Sequence, residues 1–154
     1  MPPLDAQAYG RWLEAALCAR YGWGRHRGSG NQWALPSDAV TASDWQIEIK
    51  GFWWNPAAPR RIRVALGRIW PKLCQEAGAR GRMPLLVLAT SLDWAVGVLA
   101  EADAQARWPD QIPEVHQQLP WQGTWREDPA TWADPCRVAW REEGLWRVPL
   151  DWIV

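Results

Sequence analysis

The sequence has few of the residues that build disulfide bonds or zinc sites. It contains three cysteines and two histidines among 154 residues. Cys18, Cys74 and Cys136 are odd in number and far apart in the chain, and such a set indicates neither a disulfide framework nor a zinc site. We therefore expect the three thiols to be reduced and buried.

Long apolar segments are absent as well. No apolar run approaches the ~20 residues of a membrane-spanning helix, and the N-terminus lacks the basic start and the apolar stretch of a secretory signal. These absences predict a cytoplasmic protein. With 154 residues, the chain can bury about two-thirds of its unfolded surface, which is enough for one compact domain.

Lysine is scarce, because the chain has two lysines against fifteen arginines. One of the two, Lys50, ends the segment 45–50, in which apolar and polar residues alternate. Alternation with period two is typical of a half-buried strand. Glu48 and Lys50 are therefore expected on one face of this strand, and Ile47 and Ile49 on the other.

A second strand is predicted over residues 38–41, with residues 42–44 as the turn. A hairpin folded about Ser43 would set Asp38 opposite Glu48. Two carboxylates and a lysine would then meet on one face without any Cys or His ligand. Oxygen ligands of this kind suit Mg²⁺, which binds one or two carboxylates and keeps several waters for phosphate chemistry.

The order of these motifs resembles a known family of nucleases. Pro36-Ser37-Asp38, nine intervening residues and Glu48-Ile49-Lys50 are similar to the signature of the PD-(D/E)XK nuclease superfamily, with one serine inserted between proline and aspartate. Three flanking segments are similar, in their order, to the small phage and archaeal Holliday junction resolvases: residues 28–32, 70–77 and 81–88. The resemblance covers about residues 10–90.

The resemblance implies an α/β fold, with a restriction-endonuclease-like αβββαβ core and a mixed central sheet within residues 1–100. It also implies Mg²⁺-dependent hydrolysis of DNA phosphodiester bonds, with Mn²⁺ as a substitute for Mg²⁺. The best interpretation of the substrate is a Holliday junction, a four-way DNA junction that a homodimer would cut. If the protein is encoded by a phage, the cytoplasm is that of the bacterial host.

The same resemblance assigns roles to residues of the site. Asp38, Glu48 and the backbone carbonyl of Ile49 would bind the metal, which would activate a water and offset charge on the scissile phosphate. Lys50 would orient or deprotonate that water, or stabilise the developing charge. Glu14 is a further candidate, because several family members carry a metal-linked glutamate on the first helix; a solvated helical carboxylate is the alternative.

Other functions are compatible with the same residues. A repair or restriction-type endonuclease, or an exonuclease, would share the site. A non-catalytic DNA-binding protein or phage accessory protein is the alternative from another class, and divalent-dependent DNA cleavage would exclude it. A surface hairpin with a cross-strand Asp–Lys ion pair would explain the three residues without any activity. Gly51 and Phe52 also depart from the family, which commonly has Thr or Ser after the lysine.

The positive charge is concentrated in the first part of a chain whose net charge is zero. Residues 1–100 contain twelve Lys or Arg and seven Asp or Glu, whereas residues 101–154 contain five and ten, so the two parts carry +5 and −5. This asymmetry indicates an electropositive binding face and an acidic appendage. The side chains expected to contact DNA are Arg25, Arg27, Ser29, Asn31, Arg61 and Arg63. Ser29 and Asn31 could reach the metal site instead of a phosphate, and a merely solvated basic face is the alternative for Arg61 and Arg63.

Local patterns predict the remaining elements. A helix is expected at 4–21, with Asp5 as the N-cap and Gly22 as the stop, and a second from about 67–70 to 79, with Pro71 in its first turn. Strands are expected at 62–64 and 85–89. Residues 101–154 are expected as an acidic, Trp-rich extension packed on the same domain. A strand is expected at 94–99, just before this extension. The extension itself is predicted to contain a helix at 100–107, irregular packed chain at 109–135, and a terminal hairpin of 137–140 with 145–148. Trp53 and Trp54 are expected at a dimer contact, and the expected buried anchors are Trp140, Trp146 and Trp152.

Overall fold

The structure is a computed structural model that describes residues 5–25, 32–34 and 45–154. Within these ranges the elements follow in this order: α1 (Ala6–Tyr21), β1 (Gly24–Arg25), β2 (Gln32–Ala34), β3 (Trp45–Gly51), β4 (Ile62–Ala65), α2 (Leu66–Ala79), β5 (Met83–Ser91), β6 (Trp94–Ala100), α3 (Glu101–Arg107), β7 (Val115–Gln118), β8 (Thr124–Glu127), a 3₁₀ helix (Pro129–Thr131), β9 (Cys136–Trp140), β10 (Glu143–Pro149) and a second 3₁₀ helix (Leu150–Trp152). None of the helices in this part of the chain has both the length and the hydrophobicity needed to cross a membrane.

Helix α1 begins and ends where its capping residues predict. The Asp5 carboxylate accepts a hydrogen bond of 2.9 Å from the backbone N–H of Ala8, which satisfies one of the free donors of the first turn. Gly22 ends the helix in the left-handed conformation, with φ of 69°, which glycine adopts without steric cost. The predicted cap and stop are both confirmed.

A mixed sheet of eight strands forms the centre of the fold, in the order β1-β2-β3-β5-β6-β10-β9-β7. The pairs β3–β5 and β7–β9 are parallel and the other neighbours are antiparallel. The prediction of an α/β fold with a mixed central sheet is therefore confirmed. Strands β10, β9 and β7 belong to residues 101–154, so this part of the chain extends the same sheet.

Each face of the sheet carries its own apolar core. On one face, α1 packs Leu13 and Leu17 against Ile47 and Ile49 of β3. On the other face, α2 packs Leu73 and its neighbours against alternate residues of β5. Because successive side chains of a strand point to opposite faces, this division leaves Glu48 and Lys50 on the α2 face.

Helix α2 starts earlier than its proline predicts. It begins at Leu66, so Pro71 is the sixth residue and lies inside the helix, whereas the sequence predicts Pro71 in the first turn. An internal proline removes one backbone hydrogen bond, at a cost of ~3 kcal/mol. Burial of Leu66, Ile69 and Leu73 offsets this cost, since packing of an apolar face stabilises protein helices more than propensity does.

Strand β4 forms where it is predicted, but it is not part of the central sheet. It pairs antiparallel with β8 in a separate two-stranded ribbon. Val64 and Trp125 face each other in this pair, and both are fully buried in the core on the α2 face. The ribbon therefore packs as a second layer over that face.

The prediction of irregular chain over 109–135 is wrong for two segments, because β7 and β8 lie there. Neither segment is rich in β-branched residues, so pairing with distant strands decides their conformation. A buried ion pair joins the ribbon to the sheet: Arg147 of β10 donates to Glu127 of β8, and Trp132 donates to the same carboxylate at 3.0 Å.

The tryptophans and cysteines mostly follow expectation. Trp140 and Trp146 are buried anchors, whereas Trp152 is half-buried and packs edge-on against Trp108, with ring centroids 5.4 Å apart. All three cysteines are free; Cys18 and Cys136 are buried and Cys74 is partly buried. Burial raises the pKa of the Cys18 thiol to about 12 and that of Cys74 to about 11, so both thiols stay protonated.

Candidate functional site

Glu48 occupies a central position of the sheet, between β2 and β5. Its backbone is paired with Gln32 on one side and with Leu86 on the other, and its side chain is only 7% exposed. Lys50 follows two residues later on the same face and is partly exposed. The predicted strand is therefore confirmed, and its alternation sets Glu48 and Lys50 on one face. The prediction that the strand is half-buried is wrong, because Gln46 and Glu48 are buried together with the apolar residues of the strand.

Four charged side chains act on the Glu48 carboxylate. Burial raises the pKa of Glu48 above its usual value of 4.5, and this is the largest effect. The ammonium groups of Lys50 and Lys72 oppose the rise, whereas the carboxylates of Glu76 and Glu14 add to it. Both lysines of the chain thus influence the same buried carboxylate.

Lys72 and Glu76 lie one turn apart on α2, which packs on β3 and β5. Residues at i and i+4 share one face of a helix, so the exposed Lys72 and the partly buried Glu76 lie together on α2, and their charges act on Glu48 in opposite directions. Glu76 also forms an ion pair with Arg80 at 3.7 Å. Local sequence patterns single out neither of these two α2 residues. The signal that could have identified Lys72 is its rarity, since it is the other lysine of the chain.

Helix α1, which carries Glu14, makes a close backbone contact with the end of β3. A Cβ atom on Gly51 would lie 2.9 Å from the carbonyl oxygen of Gly10, and one on Gly10 would lie 2.9 Å from that of Gly51. Two glycines therefore let α1 approach the end of β3 directly after Lys50. This contact accounts for the glycine that directly follows Lys50. Glu14 itself is partly buried on α1.

The hairpin predicted about Ser43 is wrong in its register. Gln32, not Asp38, lies opposite Glu48, and Ala34 pairs with Gln46. The connection therefore spans residues 35–44, and the other edge of β3 is taken by β5. The alternation in 45–50 identifies the strand, but it contains no information about which distant segment pairs with it. Asp38 and the predicted strand 38–41 lie outside the described residues.

Most of the predicted DNA contacts lie away from Glu48 or outside the described ranges. Arg27, Ser29 and Asn31 fall in the segment 26–31, which the structure does not describe. Arg25 ends strand β1. Arg61 precedes β4 and Arg63 lies within it, and both are exposed, so these two belong to the β4–β8 ribbon and not to the Glu48 cluster.

The two adjacent tryptophans after β3 have different environments. Trp54 is partly buried, and its indole N–H donates a hydrogen bond of 2.7 Å to the carbonyl of Arg60, so it closes the loop between β3 and β4. Trp53 is 59% exposed and contacts the edge of Tyr9 at a centroid distance of 5.3 Å. Of these two tryptophans, Trp53 is the one that presents a large apolar surface to solvent.

The described residues include oxygen donors at Glu48 and Ile49. They contain no group of three or more His, Cys, Asp or Glu close enough to hold an ion. Glu48 and the carbonyl of Ile49 provide oxygen atoms, which are the ligands that Mg²⁺ prefers, and Glu76 and Glu14 act from a longer range. Comparison with family models, with curated proteins and with solved structures gives no match for this chain.

Proposed function

We propose that the protein is a Mg²⁺-dependent DNA endonuclease whose active site is built around Glu48 and Lys50. The observation that carries the proposal is a carboxylate, Glu48, that is buried between β2 and β5, with Lys50 two residues beyond it on the same face and α2, which carries Lys72 and Glu76, packed on the strand. A buried carboxylate with a raised pKa and specific charged neighbours is typical of a functional site. A surface hairpin with an exposed ion pair would not bury Glu48 in this way.

Oxygen atoms of Asp38, Glu48 and the Ile49 backbone would hold the metal ion. The donor chemistry fits Mg²⁺, and a desolvated carboxylate is stabilised in its charged form by a nearby cation. Asp38 belongs to the connection between β2 and β3. The bound ion would activate a water and offset negative charge on the scissile phosphate.

Lys50 and Lys72 would have different roles in catalysis. Lys50, two residues beyond Glu48 on the same face, would orient the attacking water or take a proton from it. Lys72 approaches from α2 and would stabilise the negative charge that develops on the phosphate. A lysine ammonium is a compact point charge, which explains why these positions differ from the arginine-rich remainder of the chain.

Two finer assignments belong to the same proposal. The order α1-β1-β2-β3-β4-α2-β5, with β5 parallel to β3, supports a restriction-endonuclease-like core. The preferred substrate is a four-way junction, whose resolution needs two cuts related by a two-fold axis. A homodimer with C2 symmetry meets this need most simply, and the exposed Trp53 is the surface residue best suited to its interface.

A cleavage assay tests the proposal on four-way junction, duplex, flap and single-stranded DNA. Mg²⁺ and Mn²⁺ are expected to support cleavage, whereas Ca²⁺, which adopts looser and larger coordination, should support binding with little cleavage. Glu48→Gln, Lys50→Ala and Asp38→Asn should each lower the cleavage rate by about 10²–10⁴-fold while DNA binding persists.

The matched control is Glu142→Gln, because Glu142 is exposed in the turn between β9 and β10. This variant should cleave DNA at the parent rate. Full activity in excess chelator, or parent rates in Glu48→Gln with saturating Mg²⁺, would refute the proposed function. Preference for another DNA form would replace the junction assignment and leave the enzyme class intact.

A further inference from the structure

The β4–β8 ribbon places two arginines directly opposite each other. Arg63 and Arg126 are partners in the antiparallel register, and both are exposed. Their strand neighbours Ile62 and Val64 are buried, as are Trp125 and Glu127, so the ribbon has one face in the core and one in solvent. The two guanidinium groups therefore share the solvent face.

This arrangement is unfavourable for the isolated chain. Like charges that face each other across two strands repel, since their Cβ atoms are about 5 Å apart. Within the described ranges, neither Arg63 nor Arg126 forms an ion pair with a carboxylate. The nearest acid along β8, Glu127, turns inward to Arg147. Two unneutralised cations at this spacing indicate an anionic ligand.

The pair lies in an open groove of about 870 Å³. Polar side chains outnumber the apolar Leu119, Pro120 and Trp125 in its lining, and they include Arg61, Arg63, Arg126, Gln118, Gln122 and Thr124. One carboxylate, Asp128, also lines the groove, but it accepts a hydrogen bond of 3.0 Å from the backbone N–H of Ala130 and so caps the following 3₁₀ helix. Small apolar ligands prefer predominantly apolar cavities, so this lining favours a charged, hydrophilic occupant.

We infer that this groove binds the sugar–phosphate backbone of a nucleic acid, with Arg63 and Arg126 on its phosphates and the amide and hydroxyl side chains on its phosphate and sugar oxygens. Arginine forks bind phosphate oxygens bidentately, and Gln and Thr side chains make backbone contacts of this type. The inference rests on the proposed function for the identity of the ligand, and it adds a contact surface that includes the acidic C-terminal part.

The position of the groove relative to Glu48 agrees with binding of a nucleic-acid backbone. The Glu48 side chain projects from the face of the sheet on which α2 packs. Helix α2 contacts both β3 and β8. The ribbon and Glu48 are therefore on the same side of the sheet, next to one helix. Arg126 belongs to residues 101–154, which carry −5 overall. The acidic part of the chain therefore contributes a positive charge at this groove.

DNA binding as a function of salt concentration tests the inference. The affinity for a labelled duplex is measured by fluorescence anisotropy in a Glu48→Gln background, which prevents cleavage, with and without Arg63→Gln and Arg126→Gln. Each substitution should weaken binding and flatten the slope of log K against log salt by about one, and the double variant by about two. The matched control is Arg107→Gln, because Arg107 stacks on Trp45 and Trp108 on the opposite side of the sheet.

A double variant that keeps the parent slope and affinity overturns the inference. So does poly-glutamate that displaces the duplex as effectively as unlabelled DNA of equal charge, since the groove would then take acidic chains in general. Circular dichroism melting verifies that each variant is folded. The proposed function is judged separately, by the cleavage assay of the parent protein. If the parent does not cleave DNA but the arginine variants change the salt slope, the nuclease proposal fails and the groove proposal stands. If the parent cleaves DNA but the slopes do not change, the groove proposal fails and the nuclease proposal stands.

Discussion

Gly10 of α1 and Gly51 of β3 lie backbone against backbone, because a Cβ atom on either residue would come within 2.9 Å of the other's carbonyl oxygen. Gly51 directly follows Lys50, so this contact fixes the end of the strand that carries the proposed catalytic lysine. It also holds α1, with Glu14, against the same strand. A rigid support of this kind is what keeps a catalytic group in its productive position.

Gly51→Ala is expected to disturb the site without changing its charge. The added methyl group meets backbone atoms that cannot move aside, so α1 must shift, at a cost of ~1–3 kcal/mol in the free energy of unfolding. Cleavage should fall more than DNA affinity does. Chemical denaturation and single-turnover rates measure the two effects, with Gly78→Ala as the control, because nothing lies within 4 Å of a Cβ atom at Gly78. Equal stability and equal rates in the two variants would show that the contact is unimportant.

Lys72 and Glu76 should move the pH dependence of cleavage in opposite directions. Lys72 lowers the pKa of Glu48 and Glu76 raises it. Lys72→Ala should therefore shift the acidic limb of the pH–rate profile to higher pH, and Glu76→Gln should shift it to lower pH. Lys72→Arg, which keeps the charge, should leave the limb near its original position. Shifts of the same sign for Lys72→Ala and Glu76→Gln would exclude an electrostatic action on Glu48.

Glu48→Gln is expected to stabilise the metal-free protein at neutral pH. Burial raises the folded-state pKa of Glu48 above its usual value of 4.5. Between pH 4.5 and the higher folded-state pKa, the unfolded chain has lost this proton while the folded chain still binds it. The free energy of unfolding then falls as pH rises through the folded-state pKa. Urea denaturation at several pH values checks this: the parent should lose stability relative to Glu48→Gln on going from acidic to neutral pH. A constant difference across that range would contradict the prediction.

Glu127→Gln is expected to be strongly destabilising although it lies far from the proposed chemistry. Arg147 and Glu127 are 1% and 0% exposed, and removal of one member of a buried pair leaves the other charge uncompensated, at a cost of about 3–5 kcal/mol. Arg147 also donates to the carbonyl oxygens of Thr131 and Asp134 at 3.0 and 2.8 Å, so a limited part of its pairing survives. Thermal or urea denaturation measures the loss, and the exposed Glu142→Gln should change stability little. A loss no larger than that control would mean that the ribbon is held by apolar packing alone.

The sequence alone predicts the features of this protein that depend on neighbouring residues. The Asp5 cap, the Gly22 stop and the alternation over residues 45–50 each involve one short segment. For that reason α1, strand β3 and the common face of Glu48 and Lys50 could all be predicted. Local periodicity is enough to orient two side chains that are two residues apart on a strand.

Only the tertiary structure decides which distant segments meet. The register that places Gln32 opposite Glu48, the approach of Lys72 from α2, and the pairing of Arg63 with Arg126 all join segments far apart in the chain. Neither β7 nor β8 has a strong strand pattern of its own, and their pairing depends on surfaces that exist only after the sheet has formed. A local pattern states how a segment is shaped and which face is apolar. It does not state which other segment completes that face, because this choice depends on packing over the whole molecule.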